Sequence, residues 1–186
     1  MTAYPMHTLD SAPEASLSTL RHVQATLGRV PGLAAAMAES PSLLRAFFAV
    51  REIYAQGTLG AADREVLSIA NAVENGCRWC VAFHTMVARA SGVSPSTVEA
   101  LRARRAPDDP RARALSDFTR ALVRGRGAVP AETLAAFRAA GFTAAEALDV
   151  VLGVAFSTMA NYAQHLVDAP LDAQIAAHAW DGAGDA

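Results

Sequence analysis

Only two cysteines occur in 186 residues, charged side chains make up just 18% of the chain, and no stretch alternates apolar and polar residues for long. Each shortage excludes something. Without sustained alternation there is no convincing strand. A formal net charge of −2 provides no sequence-wide basic field, so neither nucleic acid nor an anionic membrane is an expected partner. Met1 to Ser11 lacks a positive segment followed by an apolar one, and no secretion signal is expected. The richest apolar stretch, Ala144 to Ala160, is interrupted by Glu146, Asp149 and Ser157 and does not read as a membrane span. A cytoplasmic location is therefore expected. Thiols stay reduced there, so two close cysteines point to catalysis or metal binding rather than to a structural staple.

What the chain has in quantity is apolar residues, 52% of the total, many of them alanine. Small side chains let helices approach closely, and so apolar a composition predicts surface covered by a second subunit, a homo-oligomer. The length suits one domain with a substantial core. The expectation is an all-α, single-domain helical bundle over residues 13–181, preceded by a loose N-terminal tail over 1–12.

Apolar residues at helical spacing predict helices over Ser16–Leu27 and from Pro31 through Met37. Another begins at Ser40-Pro41, with Leu43, Leu44, Phe47, Phe48, Val50 and Ile53 on one wide face; Ser40 is its expected cap. A helix from Ala62 carries Val66, Leu67, Ile69, Ala70 and Val73 and breaks at Asn75-Gly76, and the next runs from Cys77 to Ala90. Shorter helices follow from Ser94-Pro95 and over Ala112–Val123 and Pro130–Ala139. A long one spans Ala144–Leu166, and a helical tail beyond Pro170 ends at Gly182-Ala183-Gly184. The local basic cluster Arg102, Arg104, Arg105, Arg111 and Arg113 reads as a solvated loop and helix end. At a constant offset, Gly60, Glu65, Leu67, Val73, Ala82 and His84 match Gly141, Glu146, Leu148, Val154, Ala163 and His165, which suggests two related helical hairpins.

The chemistry concentrates in Cys77-Arg78-Trp79-Cys80 and in His84. At ~100° per residue Cys77 and Cys80 share one helix face, with His84 a turn further on. A Cys-x-x-Cys pair can bring its β-carbons within bridging range. The break at Asn75-Gly76 puts Cys77 in the first turn, where free backbone N–H groups favour thiolate over thiol. His84 can exchange a proton with Cys80. Glu65 is remote from the sulfurs on an unbroken helix, but a fold-back at Asn75-Gly76 brings it to face them. By spacing alone the set is either a redox dithiol or part of a zinc site with Glu65 or water as fourth ligand. Structural zinc sites normally add a second Cys/His pair, which this chain lacks. A non-catalytic interaction protein with two buried cysteines is a further alternative.

Residues 58–90 resemble the signature of the AhpD-like (alkylhydroperoxidase D-like) group of the carboxymuconolactone decarboxylase superfamily, in its peroxidase-related branch. The pattern is a Glu, eleven residues, Cys, two residues, Cys, three residues, His, and Glu65, Cys77, Cys80 and His84 fill it. Val30-Pro31-Gly32, Ser40 to Leu44 and Asn161 to His165 extend the likeness. The resemblance implies an all-helical homo-oligomer with thiol-dependent peroxidase or disulfide reductase activity and no metal, flavin or other cofactor. It implies that Cys80 attacks a hydroperoxide, Cys77 resolves the sulfenic acid into a disulfide, and Glu65 and His84 relay protons. The partners would be a hydroperoxide and an external dithiol or redox protein. Lactone decarboxylases of the superfamily generally lack the cysteine pair. The chain departs from the well-known hydroperoxidases where Trp79 stands in place of a second His: Trp cannot relay a proton, and can instead shield the dithiol or shape a pocket for an apolar hydroperoxide. Among the other histidines, His7, His22 and His178 are expected at the surface, and His165 in the core or an interface, or else as a contact behind the dithiol pocket.

Overall fold

The computed structural model describes residues 4–182. Nine α-helices carry these residues: α1 Glu14–Leu27, α2 Gly32–Met37, α3 Pro41–Ala55, α4 Ala61–Glu74, α5 Arg78–Ala90, α6 Pro95–Arg102, α7 Pro110–Arg124, α8 Ala131–Ala139 and α9 Ala144–Val167. One 3-10 turn, Ala176–His178, follows, and no strand occurs among the described residues.

Local chemistry sets many of the boundaries. Ser40, Ser94 and Asp109 each accept a backbone N–H from the first helical turn, and each is followed by a proline where no donor is needed. A reciprocal capping box opens α9: Thr143 Oγ1 accepts the Glu146 N–H at 3.1 Å, while Glu146 Oε2 accepts the Thr143 N–H at 2.6 Å. Helix α4 is the axis of the bundle. Val66 through Val73 are all buried, because α5, α6, α7 and α9 pack around that helix. Glycine decides how near α9 comes: a Cβ at Gly153 would stand 2.5 Å from Tyr54 Oη and 2.9 Å from Leu67 Cδ1. No single helix among the described residues is long and apolar enough to cross a membrane; α8 and α9 reach that composition only jointly, with a 115° bend between them.

Four expectations need correction. The first concerns the N-terminal tail. Its Met1 to Ala3 lie outside the described residues, but from Tyr4 onward it is held in place. The His7 N–H donates to the Ala35 carbonyl at 3.2 Å, its ring meets Glu39 at 2.7 Å, and Leu9 and Ala12 pack on the core. The His7 side chain is only 10% exposed, whereas His22, at 62%, is a surface residue as expected.

Second, the C-terminal tail forms one 3-10 turn instead of a helix; its expected end at Ala183-Gly184 lies outside the described residues. Arg102 holds it as an extended strap, donating to the His178 and Ala179 carbonyls at 3.0 and 2.8 Å, and Trp180 Nε1 donates to the Arg102 carbonyl at 3.0 Å. These bonds replace the helical ladder. Third, the basic cluster is accordingly structural at two of its positions. Arg102 clamps the strap, and Arg111 bridges Asp63 and Glu146 at 2.8 and 3.4 Å with its guanidinium over the Phe142 ring.

Fourth, the sequence echo does not give a second hairpin. Residues 144–167 form one unbroken helix, α9.

Candidate active site

Helices α4 and α5 meet at Asn75-Gly76, and the reversal is what builds the site. Gly76 adopts φ +67°, a left-handed conformation that ends α4 and that side chains resist. The Cys77 N–H then donates back to the Ala72 carbonyl at 2.9 Å, leaving Cys77 as the N-cap of α5 with an extended backbone. Cysteine is an unusual residue there, and its sulfur occupies the place a capping oxygen would take.

The two sulfurs lie 2.6 Å apart and are both buried, Cys77 at 0% exposure and Cys80 at 1%. Their acidities diverge. The hydrogen bond shared with Cys80 pulls the Cys77 thiol below its ordinary value. Burial opposes this, but the backbone N–H groups of Cys80 and Trp79 and the Asn161 side chain add to the lowering. Burial pushes the Cys80 thiol well up, and the neighbouring Cys77 sulfur reinforces the rise. Cys77 is therefore the more acidic of the two thiols.

Glu65 and His84 face each other across the α4–α5 reversal, with His84 Nδ1 and Glu65 Oε2 at 2.8 Å. Both side chains are largely buried, at 15% and 14% exposure. Glu65 thus reaches the site as the fold-back predicted, but it pairs with His84 and not with a sulfur. The four zinc ligands imagined for a metal site do not converge, and no group of three or more His, Cys, Asp or Glu side chains among the described residues is arranged to hold a metal.

A cavity of about 620 Å³ opens onto this cluster. Cys80, Glu65 and His84 line it; Cys77 does not. Trp79 forms part of its wall, with its ring stacked on Phe83 at 5.3 Å. The apolar face expected of α3 turns out to serve the cavity more than the core: Phe47 and Phe48 line it while only Leu44 and Tyr54 are fully buried.

Sequence reasoning missed an asparagine group behind the dithiol. Asn161 Oδ1 accepts from Asn71 Nδ2 and from Asn75 Nδ2, each at 2.9 Å, and Thr158 Oγ1 donates to Asn71 Oδ1 at 3.4 Å. With its oxygen doubly engaged, Asn161 has its amide N–H groups left to donate, and its side chain favours the thiolate form of both sulfurs. Asn71 and Asn161 are 0% and 1% exposed. The available signal was a lone amide inside the apolar run Val66 to Val73, since a buried polar group needs a partner. His165, by contrast, is exposed on α9 and lies neither in the core nor behind the pocket.

Comparison with known proteins agrees with this architecture. Residues 41–121, which contain all four candidate site residues, match the model of the carboxymuconolactone decarboxylase family. A search of curated proteins finds no match. Among solved structures, the fold is similar to an alkylhydroperoxidase AhpD core, an uncharacterised peroxidase-related protein from Ralstonia eutropha JMP134. The identity is 26%, 94% of each chain is covered, and the TM-score is 0.81. A peroxidase-related protein from Silicibacter sp. TM1040 is 24% identical over 93% of this chain and 92% of its own, with a TM-score of 0.77. A variant of the debrominase Bmp8 bound to 2,3,4-tribromopyrrole shares the fold at 16% identity, covering 96% of this chain and 95% of its own, also at 0.77. The helical fold, the four-residue pattern and the family model agree: residues 41–121 match the carboxymuconolactone decarboxylase family, and the fold is similar to that of an AhpD core.

Proposed function

We propose that the protein is a cytoplasmic enzyme, a thiol-dependent peroxidase that reduces hydroperoxides with Cys80 and Cys77. One observation carries the reading: the cavity reaches Cys80 with the Glu65–His84 pair in its wall, while Cys77 is sealed behind.

The first step moves the Cys80 proton across the short S···S contact to the Cys77 thiolate, leaving the charge on the sulfur that substrate can reach. Cys80 then attacks the terminal oxygen, the O–O bond breaks, and the alkoxide leaves. His84 has its Nδ1 held by Glu65, so its other ring nitrogen gives the alkoxide a proton. Cys80 is now a sulfenic acid. Cys77 attacks its sulfur, the hydroxyl departs as water with the Cys77 proton, and the disulfide closes. An external dithiol or redox protein returns two electrons and two protons. Asn161 is a positioning residue, holding both sulfurs through its amide.

Peroxide consumption with dithiothreitol as donor, compared between wild type and Cys80→Ser, tests the reading. Loss of turnover in the variant is expected; equal rates would end it. The debrominase likeness and the aromatic cavity wall favour a second reading, in which a carbon–halogen bond takes the same two electrons: one proton replaces the halogen, halide leaves, and the same disulfide forms. Halide release from a bromopyrrole without peroxide turnover would select it.

A homo-oligomer forms part of the proposal. Leu148, Val151, Tyr162 and Leu166 stand 47–72% exposed along α9, a stripe of apolar surface suited to a second copy.

A further inference from the structure

The cavity is graded from a dry end to a wet one. Helices α4 and α5 run antiparallel after the Asn75-Gly76 reversal, and the Glu65–His84 contact at 2.8 Å fixes their register. Moving from that pair toward the start of α4 is therefore moving toward the end of α5. Trp79, Cys80, Phe156 and Ala160 line one end and are all buried. At the other, Ala61 and Arg64 of α4 stand opposite Val87 and Ser91 at the end of α5, and these are exposed or half-buried. Cys80 and Ser91 both line the space, which therefore runs about 16 Å along α5 at the usual helical rise.

Charge is unevenly spread along this length. Of the charged side chains in the wall, Arg29 pairs with Asp172 at 3.4 Å and Glu65 with His84. Arg51 and Arg64 have no carboxylate within ion-pair distance among the described residues. The carboxylates next to them in sequence are engaged elsewhere, Glu52 with His22 at 3.3 Å and Asp63 with Arg111 at 2.8 Å. Both arginines stand at the wet end. Arg51 lies one turn before Ala55, the last residue of α3, and the chain enters α4 after a short connection. Arg64 Nη1 donates to the Leu59 carbonyl of that connection, which leaves its other N–H groups to a ligand. The cavity thus offers two uncompensated cations at its mouth and an apolar floor at Cys80. Its volume of about 620 Å³ is far more than hydrogen peroxide requires and falls within the range of sites for larger organic molecules.

We infer that the cavity takes an amphipathic organic acid, its carboxylate held by Arg51 and Arg64 at the mouth and its apolar chain running inward to Cys80. This arrangement leaves the charge where water still reaches it and buries only the apolar part. Guanidinium suits a carboxylate because its fork can donate two parallel N–H bonds. The inference deepens the proposed function by naming the substrate class of the same site, a hydroperoxide borne on the chain remote from the carboxylate. It rests on that function only for the bond that Cys80 reduces. The step is the one given above: the O–O bond breaks, the chain keeps one oxygen as a hydroxyl, the other leaves as water, and the Cys77–Cys80 disulfide forms.

The test is calorimetric titration of the reduced full-length protein with decanoate, with neutral decanol and acetate as further arms. Saturable decanoate binding is expected, with decanol about tenfold weaker and acetate silent. Arg51→Gln and Arg64→Gln should each weaken decanoate about fivefold, the worth of one partly exposed ion pair. Arg45→Gln, at an exposed α3 arginine outside the cavity, should not. Arg51→Gln, at an exposed position, decides the matter if Arg64→Gln does not fold. The inference is overturned by no binding at millimolar decanoate, by decanol binding as tightly, by unchanged affinity in either folded variant, or by an equal loss in Arg45→Gln. Any of these counts even if hydrogen peroxide turnover is strong. Binding with the expected variant losses but no turnover of any hydroperoxide sustains it and removes the peroxidase reading.

Discussion

Residues 60–84 and 141–165 carry the same six-residue echo, yet the structure uses them in opposite ways. In the first, Asn75-Gly76 reverses the chain, so Glu65 and His84 meet at 2.8 Å. In the second, Phe156-Ser157 occupies the corresponding place, and α9 continues without a break. Glu146 and His165 then stand about 28 Å apart along one helix, at ~1.5 Å per residue. Glu146 caps the helix start and pairs with Arg111, while His165 faces solvent. The same carboxylate and imidazole make a site only where the backbone folds back between them. At the offset position of Cys80 stands Asn161, which has become the amide support for the dithiol of the other segment.

Removing the reversal is the most drastic way to break this contrast. Replacing Asn75-Gly76 by Phe-Ser, the α9 pair, should abolish disulfide formation after peroxide addition, read by thiol titration, with turnover falling at least a hundredfold. Next in size is Asn161→Ala. It leaves one buried and one half-buried amide donor without their acceptor and should cost about 1–3 kcal/mol in urea unfolding. It should also raise the Cys77 pKa, which the amide helps to hold down.

The dithiol acidities give a third outcome. With Cys77 depressed, the ultraviolet absorbance of its thiolate should already be present below the ordinary thiol value and be lost only as pH falls through the lowered one. Cys80→Ala deletes the largest lowering contact, so the midpoint of that absorbance titration should move upward. Glu65→Gln weakens the His84 pairing and should reduce peroxide turnover about tenfold or more while shifting stability by only ~1 kcal/mol. The smallest effect belongs to the α9 counterpart: His165→Ala should leave turnover unchanged and unfolding within ~0.5 kcal/mol. A loss equal to that of Glu65→Gln would erase the distinction between the two segments.

Much of this was legible because it is local. Ser40-Pro41 and Ser94-Pro95 announced helix starts, and Asn75-Gly76 announced the reversal that brings Glu65 to the site. Gly76 and the break after α4 likewise announced that Cys77 stands at the start of α5. What escaped is non-local. Asn161 meets Asn71 from 90 residues away, and no spacing rule links them. The cavity exists only once α3, α5 and α9 are placed, so it had no sequence signature. The tails misled because their order comes from Arg102, Ala35 and Glu39, which lie in other segments.

The complete burial of Cys77 sets the order of events in a catalytic cycle. Cys80 meets the outside through the same cavity that admits the oxidant, so the reductant must use that doorway after the first product has left. Oxidant and reductant then exclude one another, and steady-state rates should follow a ping-pong law, with parallel double-reciprocal lines and mutual substrate inhibition at high concentration.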